Sequence, residues 1–186
     1  RVMGFIILDR DGVINEDSDE YIKSAEEWQP IAGSIQAIAR LNHAGYRVVI
    51  ATNQSGVGRG LFDIDMLGQI HEKMCLQLQE AGASVEAIFY CPHTPEDECD
   101  CRKPKPGLFL DIEQRLSKSL VGIYAVGDSL RDIEAAQAAG ATPILVKTGK
   151  GERTLATGDE RLDNVLQFSD LYSFVDTLLK GDLMPS

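Results

Sequence analysis

Short apolar runs alternate with longer amphipathic segments along most of the chain. Runs of this kind are typical of strands buried on both faces of a parallel sheet, because neither side of such a strand meets water. They lie at residues 5–8, 48–51, 85–90, 123–126 and 143–146, with a shorter one at 164–166. The amphipathic segments have apolar residues at every third or fourth position, which predicts helices. They lie at 33–44, 63–82, 107–116, 131–139 and 171–179.

This order of elements predicts one α/β domain over residues 1–186. Strands that alternate with helices form a doubly wound parallel sheet, with helices on both faces and right-handed crossovers. The chain has 186 residues, of which 44% are hydrophobic and 25% charged, and a chain of that length buries a core. Residues 16–29 depart from the pattern, because they carry six acidic side chains without a regular period. We expect a loop there.

Two carboxylates stand where the first apolar run ends. Asp9 follows that run directly, and Asp11 comes two residues later, as the chain turns at Gly12. The carboxyl ends of parallel strands are where open α/β sheets carry their chemistry. A lone aspartate after a strand more often caps a helix or a turn, so this pair needs support from other strand ends.

The other strand ends supply that support. Thr52 and Asn53 follow the second run, and Asp128 follows the run at 123–126, with Asp132 four residues further on. Lys103 precedes the helix predicted at 107–116. If the first and fourth strands flank the point where strand order reverses, Asp9, Asp11 and Asp128 converge in one crevice.

Three of the four cysteines and one histidine fall within residues 91–101. Cys91 and His93 form a Cys-x-His pair, and Cys99 and Cys101 form a Cys-x-Cys pair. Three thiolates and one imidazole make a closed tetrahedral set suited to structural zinc, whereas a catalytic zinc site keeps one position open. Free thiols or a disulfide are the alternatives. Cys75 lies one turn after His71, a spacing that fits a metal pair, but we expect a packed thiol beside a surface histidine.

The negative net charge of the chain excludes some classes of binding partner. A formal net charge of −11 argues against nucleic acid or an anionic membrane surface. It favours a bound cation, and a phosphate ester would need a local patch of positive charge. The available cations near the motifs are Arg59, Arg102, Lys103, Lys105, Lys147 and Lys150.

Two nucleotide-binding motifs are absent or imperfect. Residues 56–60 have the spacing Gly-x-Gly-x-Gly rather than the Gly-x-Gly-x-x-Gly of a dinucleotide loop. Residues 149–151 lack the upstream glycine and the hydroxyl of a Walker loop.

No apolar run reaches 18 residues and the start does not look like a signal peptide, so we expect a cytoplasmic protein.

The motifs at the strand ends together resemble a known superfamily. Asp-x-Asp-Gly, Thr-Asn, a lysine before a helix and Gly-Asp-x-x-x-Asp occur here in the order found in the haloacid dehalogenase superfamily. We call residues 91–101 the cysteine loop. This loop, followed directly by Arg102-Lys103-Pro104, resembles that of the superfamily's histidinol-phosphate phosphatase-like branch. The resemblance covers about residues 5–151 and implies a core without a large cap domain.

The resemblance also implies roles for individual residues. Asp9 would be the nucleophile that forms an aspartyl-phosphate, and Asp11 the general acid and then the base. Thr52 and Lys103 would hold the transferring phosphoryl oxygens. Mg²⁺ would bind Asp9, Asp128 and the backbone carbonyl of Asp11. Substrate would contact Asp17, Tyr21, Asn53, Gln54, Ser55, Arg102 and Ser129.

The implied activity is that of a Mg²⁺-dependent phosphatase. The expected reaction removes the 7-phosphate of a heptose 1,7-bisphosphate, in ADP-heptose and lipopolysaccharide core biosynthesis. Histidinol phosphate or another small sugar phosphate is the alternative substrate, and a zinc-loop binding module without activity is the alternative class. We expect a monomer whose partner is a small sugar phosphate.

Overall fold

Six parallel strands form the sheet of the computed structural model, which describes residues 4–183. The strands are β1 (Gly4–Leu8), β2 (Tyr46–Asn53), β3 (Ala87–Cys91), β4 (Tyr124–Gly127), β5 (Thr142–Val146) and β6 (Leu166–Phe168). Their order across the sheet is β3-β2-β1-β4-β5-β6, so the order reverses between β1 and β4. Ligands of doubly wound sheets bind at such a reversal, beyond the carboxyl ends of the strands. The predicted parallel sheet is confirmed.

Seven α-helices lie within residues 4–183, six of them between strands and the last one after the sixth strand. They are α1 (Ser34–His43), α2 (Ser55–Gly58), α3 (Ile64–Glu80), α4 (Gly107–Leu116), α5 (Leu130–Ala138), α6 (Gly151–Ala156) and α7 (Leu171–Leu179). Short 3₁₀ turns lie at Pro95–Asp97 and Glu160–Leu162. One apolar core joins the sheet to α1, α3 and α7, and a second joins the opposite face to α4 and α5.

The two cores explain the unbroken apolar run of β1. Ile6 and Leu8 pack in the core that contains α1, α3 and α7, whereas Ile7 packs in the core that contains α4 and α5. Successive residues of a strand point to opposite faces, so a strand covered on both faces needs apolar residues throughout. β1 is therefore rigidly held just before Asp9.

Several elements differ from the prediction. The last strand lies at Leu166–Phe168 rather than at 164–166, and β3 ends at Cys91 rather than at 90. The helices α2 and α6 were not predicted, because four and six residues are too few to show a helical period.

Residues 16–29 form turns and bends, as expected of a loop, and no separate cap domain interrupts the described chain. No helix among residues 4–183 is long and apolar enough to cross a membrane. Residues 1–3 and 184–186 of the predicted domain lie outside the described residues.

Candidate active site

The carboxyl ends of β1 and β4 meet at one cavity of about 150 Å³. The backbone N–H of Asp9 donates to the carbonyl oxygen of Val126 at 2.9 Å, which fixes the two strand ends against each other. All but one of the predicted site residues outside the cysteine loop line this cavity. They are Asp9, Asp11, Asp17, Tyr21, Thr52, Asn53, Gln54, Ser55, Arg102, Lys103 and Asp128.

Ser129 is the predicted residue that does not line the cavity. It precedes α5, and its hydroxyl donates to Asp132 Oδ2 at 2.9 Å. The hydroxyl is thereby engaged at the start of the helix. Arg131, two residues later, lines the cavity instead.

Two glycines bring the loops after β1 and β5 close to Asp128. Gly12 has φ +84° and Gly149 has φ +57°, a region that residues with a Cβ rarely adopt. A Cβ atom on either glycine would collide with Asp128 Oδ2. The adjacent backbone N–H of Lys150 donates to that same oxygen at 2.9 Å. Both glycines are therefore needed for the close approach that positions this carboxylate.

Three carboxylates cluster at the base of the cavity. Oxygen atoms of Asp9, Asp128 and Asp132 lie within 4.8 Å of one another. Burial, followed by the negative charge of Asp132, raises the pKa of Asp9 to about 7. Burial and the charges of Asp132 and Asp9 raise the pKa of Asp128 to about 9. Buried carboxylates that repel one another form a donor set suited to a hard divalent cation such as Mg²⁺.

Asp132 differs from the other two carboxylates because the protein already occupies both of its oxygens. Oδ2 accepts hydrogen bonds from the backbone N–H groups of Asp128 and Ser129 at 3.1 Å and from the Ser129 hydroxyl. Oδ1 accepts from Lys103 Nζ at 2.8 Å. Although burial opposes its ionisation, the charge of Lys103 holds the pKa of Asp132 at about 2. Asp9 and Asp128 remain as the carboxylates that can bind a cation directly.

Lys103 lies buried beside the first strand end. Its Nζ donates to the carbonyl oxygen of Ala51 at 2.5 Å and lies 3.3 Å from Asp9 Oδ1. Burial alone would lower the pKa of this ammonium, but the charges of Asp132 and Asp9 raise it above its ordinary value. Lys103 therefore keeps a positive charge next to Asp9.

Asn53 holds the backbone of Lys103. Its Nδ2 donates to the Lys103 carbonyl oxygen at 3.2 Å, and its Oδ1 accepts from the Lys103 N–H at 3.1 Å. Asn53 lines the cavity, but both ends of its amide are engaged by this backbone. The pair of bonds ties the segment after the cysteine loop to the end of β2.

Asp11 is held by three neighbours. Its Oδ1 accepts from Arg10 Nε at 2.9 Å, from Arg10 Nη2 at 2.8 Å and from Asn15 Nδ2 at 2.9 Å. Its Oδ2 accepts from Gln54 Nε2 at 3.2 Å, and the same Nε2 donates to Thr52 Oγ1 at 2.9 Å. Burial would raise the pKa of Asp11, but the Arg10 charge and the donated hydrogen bonds lower it below its usual value.

The loop at residues 16–29 forms one rim of the cavity. Asp17 lies 3.3 Å from Lys150 Nζ, and the exposed Asp19 lies 3.3 Å from an Arg153 nitrogen. Tyr21 has φ +69°, and its ring faces the Arg59 guanidinium at 5.7 Å. These contacts tie the loop to α6 and to the end of α2.

Three guanidinium groups, those of Arg59, Arg102 and Arg131, lie near one another beside the cavity. Burial, followed by the charges of Arg131 and Arg59, lowers the pKa of Arg102. In a chain with net charge −11, none of the three forms an ion pair with a carboxylate of residues 4–183. We call Arg59, Arg102 and Arg131 the arginine group. Positive charge that is not held in an ion pair, beside a cavity, is suited to binding an anion.

The cysteine loop begins where β3 ends. One ligand atom each from Cys91, His93, Cys99 and Cys101 lies within 4.8 Å of the others. His93 Nδ1 lies 3.6 Å from Cys91 Sγ and 3.5 Å from Cys101 Sγ, and Cys99 Sγ lies 3.5 Å and 3.7 Å from the same two sulfurs. Tetrahedral zinc with bonds of about 2.0–2.3 Å separates its ligands by roughly 3.5–3.8 Å. The donor set therefore fits zinc.

The same loop also fits the disulfide alternative. The sulfurs of Cys91 and Cys101 are in direct contact, as in a disulfide between these residues. Whichever form is present, the loop supports the cavity, because Arg102 Nη1 donates to the His93 carbonyl oxygen at 3.3 Å. Lys105 Nζ donates to the Cys99 carbonyl oxygen at 3.0 Å.

Sequence reasoning missed three cavity residues and one residue behind them. Ser18, Asp19 and Arg131 line the cavity, and the buried Arg10 donates hydrogen bonds to Asp11. The signal for Arg131 was its place in the first turn after Asp128, beside a strand end. Arg10 gave little signal, because an arginine between two aspartates is ordinarily expected at the surface.

Comparison with known proteins agrees with the geometry. A family model described as HAD-hydrolase-like matches residues 100–171. The chain is 57% identical over 156 residues to a D-glycero-beta-D-manno-heptose-1,7-bisphosphate 7-phosphatase of Bordetella bronchiseptica. The match covers 84% of this chain and 87% of that protein. It is 51% identical to the enzyme of the same name from Pseudomonas aeruginosa, over 94% of this chain and 97% of that protein.

The chain belongs to the heptose-1,7-bisphosphate 7-phosphatase family. Members of this family are phosphatases, that is, phosphoric monoester hydrolases that act on a sugar bisphosphate. A crystal structure of the D,D-heptose 1,7-bisphosphate phosphatase from B. bronchiseptica in complex with magnesium and phosphate superimposes with a TM-score of 0.94. It is 51% identical in sequence, and the match covers 96% of this chain and 99% of that one. The expected superfamily and fold are confirmed.

Proposed function

We propose that this protein is a Mg²⁺-dependent phosphatase that removes the 7-phosphate from D-glycero-D-manno-heptose 1,7-bisphosphate. The observation that carries the proposal is the cavity in which Asp9, Asp128 and Lys103 lie together beside the arginine group. The names of its relatives support this substrate. The reaction would serve the synthesis of ADP-heptose for the lipopolysaccharide core.

The first chemical step is assigned to Asp9. Its carboxylate attacks phosphorus, the bond from phosphorus to the sugar oxygen breaks, and an aspartyl-phosphate forms. Thr52 Oγ1 and Lys103 Nζ bind the phosphoryl oxygens, in a buried site where such interactions are strong. Mg²⁺ bound by Asp9, Asp128 and the backbone carbonyl of Asp11 would offset the negative charge shared by carboxylates and phosphate.

Asp11 moves the proton. It gives a proton to the leaving sugar alkoxide and later takes one from the water that attacks the aspartyl-phosphate. The Arg10 charge favours the ionised form of Asp11 in the substrate-free protein. A phosphate dianion beside Asp11 acts in the opposite direction, because a nearby negative charge favours protonation. Substrate binding therefore prepares Asp11 to act as an acid.

The arginine group is suited to the phosphate that is not transferred. A guanidinium binds phosphate through two parallel hydrogen bonds, and Arg102 and Arg131 both line the cavity. An anion between them would offset the repulsion by Arg131 and Arg59 that, after burial, lowers the Arg102 pKa. We therefore assign the 1-phosphate to the arginine group and the 7-phosphate to Asp9.

The cysteine loop is proposed to bind structural zinc through Cys91, His93, Cys99 and Cys101. Four protein ligands leave no open position, so the ion would hold the loop and would not activate water. An ordered loop would then fix the position of Arg102 in the cavity, because Arg102 donates a hydrogen bond to the His93 carbonyl oxygen.

The test is a phosphate-release panel with purified protein and Mg²⁺. The substrates are the α and β anomers of heptose 1,7-bisphosphate, fructose 1,6-bisphosphate, histidinol phosphate and p-nitrophenyl phosphate. We expect the highest kcat/KM for a heptose bisphosphate, with the 7-phosphate released. Preference for histidinol phosphate would contradict the proposed substrate, and no phosphate release from any compound would favour a binding module without activity.

That the protein is a monomeric single domain stays a prediction, which light scattering can check.

A further inference from the structure

The side chain of Arg10 is completely buried between an aspartate and a histidine. Its solvent exposure is 0%, and its Nε and Nη2 both donate to Asp11 Oδ1. The remaining nitrogen, Nη1, lies 3.1 Å from His71 Nε2. A buried guanidinium is costly unless its donors are satisfied, so His71 is part of what keeps Arg10 in this place.

The two oxygens of Asp11 have different surroundings. Oδ1 receives all three hydrogen bonds from Arg10 and Asn15, whereas Oδ2 receives one longer bond from Gln54. Asp11 lines the cavity, and its side chain is 23% exposed. Oδ1 is thereby anchored, and Oδ2 is the oxygen left to face substrate.

The state of His71 follows from its partner. A guanidinium can only donate, so Nε2 of His71 accepts and the ring proton lies on Nδ1. His71 lies on α3, 61 residues from Arg10 along the chain, and its ring centroid is 6.5 Å from that of Tyr90 on β3. Burial, together with the Arg10 charge, lowers the pKa of His71 to about 4. The imidazole is therefore a neutral acceptor fixed by the fold.

We propose that Arg10 and His71 are positioning residues that aim Asp11 Oδ2 at the leaving oxygen of the substrate. The chain of contacts runs from α3 through His71 and Arg10 to Asp11, and neither positioning residue needs to touch substrate. The proposal rests on the proposed function in one respect, namely that Asp11 is the general acid.

The leaving group of the substrate distinguishes positioning from a structural role. A sugar alkoxide needs a proton to depart, whereas p-nitrophenolate leaves without one. A misplaced Asp11 should slow phosphoenzyme formation from alkyl phosphates and spare it for aryl phosphates. Damage to the fold would slow both. Since kcat/KM reports the steps up to phosphoenzyme formation, it is the quantity to compare.

The experiment measures kcat/KM for heptose 1,7-bisphosphate and p-nitrophenyl phosphate with H71L, H71Q, H71N and E72Q. The glutamine places an amide near the position of Nε2, the asparagine stops short of it, and Glu72 is an exposed neighbour on α3 that serves as the control. We expect H71L and H71N to lose about tenfold on the heptose substrate and less than about twofold on the aryl substrate. H71Q should keep about a third or more of both values.

Two results would overturn the proposal. One is an equal loss on both substrates in a folded H71L or H71N variant, and the other is no loss on either. If H71L does not fold, H71N carries the comparison. If the wild-type protein hydrolyses another alkyl phosphate but not the heptose compound, the proposed substrate fails and the comparison proceeds with that alkyl phosphate. If it hydrolyses neither class, the proposed function and this proposal fail together.

Discussion

Lys103 donates from Nζ to Asp132 Oδ1 at 2.8 Å, and both side chains are almost completely buried. This ion pair joins the segment after the cysteine loop to the first turn of α5. It also holds the Lys103 ammonium 3.3 Å from Asp9 Oδ1, beside the proposed nucleophile. The pair therefore both stabilises the fold and holds the Lys103 charge in place beside Asp9.

Replacement of Asp132 by asparagine should weaken both stability and activity. The buried Lys103 charge would keep only Asp9 as an ionic partner, and loss of one partner from a buried pair costs about 3 kcal/mol. Urea unfolding should show this loss, and kcat should fall because Lys103 is no longer held in place. Asp176→Asn is the matched control, since Asp176 pairs with Arg40 near the surface and exposed pairs contribute less than about 1 kcal/mol. Equal effects of the two changes would contradict the assignment.

Asp9→Asn should abolish turnover while the protein stays folded. An asparagine has nearly the shape of aspartate but is a poor nucleophile. We expect less than about one hundredth of the wild-type kcat, because phosphatases accelerate very slow reactions by many orders of magnitude. Beryllium fluoride, which traps aspartyl-phosphate sites, should no longer bind. Activity above that level would disprove covalent catalysis by Asp9.

The stability of the metal-free protein should depend on pH through Asp9 and Asp128. Their pKa values are raised from 3.8 to about 7 and about 9, so the folded state holds protons that the unfolded chain has released above about pH 4. The melting temperature without metal should therefore fall as pH rises from about 5 to 9. Mg²⁺ should raise it more at pH 8.5 than at pH 5.5, because metal and protons compete for the carboxylates.

Asp128→Asn is the control for this pH dependence. It should stabilise the metal-free protein at pH 8.5, remove most of the increment due to Mg²⁺ and raise the Mg²⁺ concentration needed for activity. EDTA should stop wild-type turnover, and Mg²⁺ should restore it. An equal Mg²⁺ increment at both pH values, or full activity in EDTA, would contradict the proposed cation site.

Cys99→Ser should reduce zinc content, melting temperature and kcat/KM together. Loss of one thiolate opens the tetrahedral set, and the disordered loop no longer supports Arg102. Elemental analysis and thiol titration of protein purified without chelator measure the two alternatives directly. One zinc per chain with reduced thiols supports the zinc site. No zinc with Cys91 and Cys101 oxidised supports the disulfide. Cys75→Ser is the control, because Cys75 lies outside the loop and is exposed. The expectation of a packed Cys75 beside a surface His71 is wrong, since His71 is the more buried of the two and contacts Arg10.

Arg131→Ala should selectively impair hydrolysis of the bisphosphate. Loss of one charged contact to phosphate should lower kcat/KM for heptose 1,7-bisphosphate by about tenfold and leave that for p-nitrophenyl phosphate within about twofold. The comparison variant is Arg47→Ala, whose side chain pairs with Glu86 near the other end of β2. A proportional loss on both substrates would show that Arg131 does not bind the second phosphate.

The sequence by itself determined the architecture and most of the cavity. The apolar run before Asp9 and the run before Asp128 are local patterns, and a parallel sheet brings their carboxyl ends to one edge whatever the details of packing. The spacing of Cys91, His93, Cys99 and Cys101 likewise predicts a cluster because the four residues lie in one short loop. The ends of β3 and β6 were less well predicted, since strand boundaries depend on pairing with neighbours as well as on composition.

Only the tertiary structure decided what individual polar side chains do. Which side chain near the start of α5 faces the cavity, Ser129 or Arg131, depends on how the helix lies against the sheet. Arg10 turns inward because Asp11 and His71 accept its hydrogen bonds, and His71 comes from a helix 61 residues away. A contact of that kind leaves no periodic trace in the sequence. It forms because a buried charge is costly unless it is hydrogen-bonded, and only the folded chain places His71 within reach of Arg10.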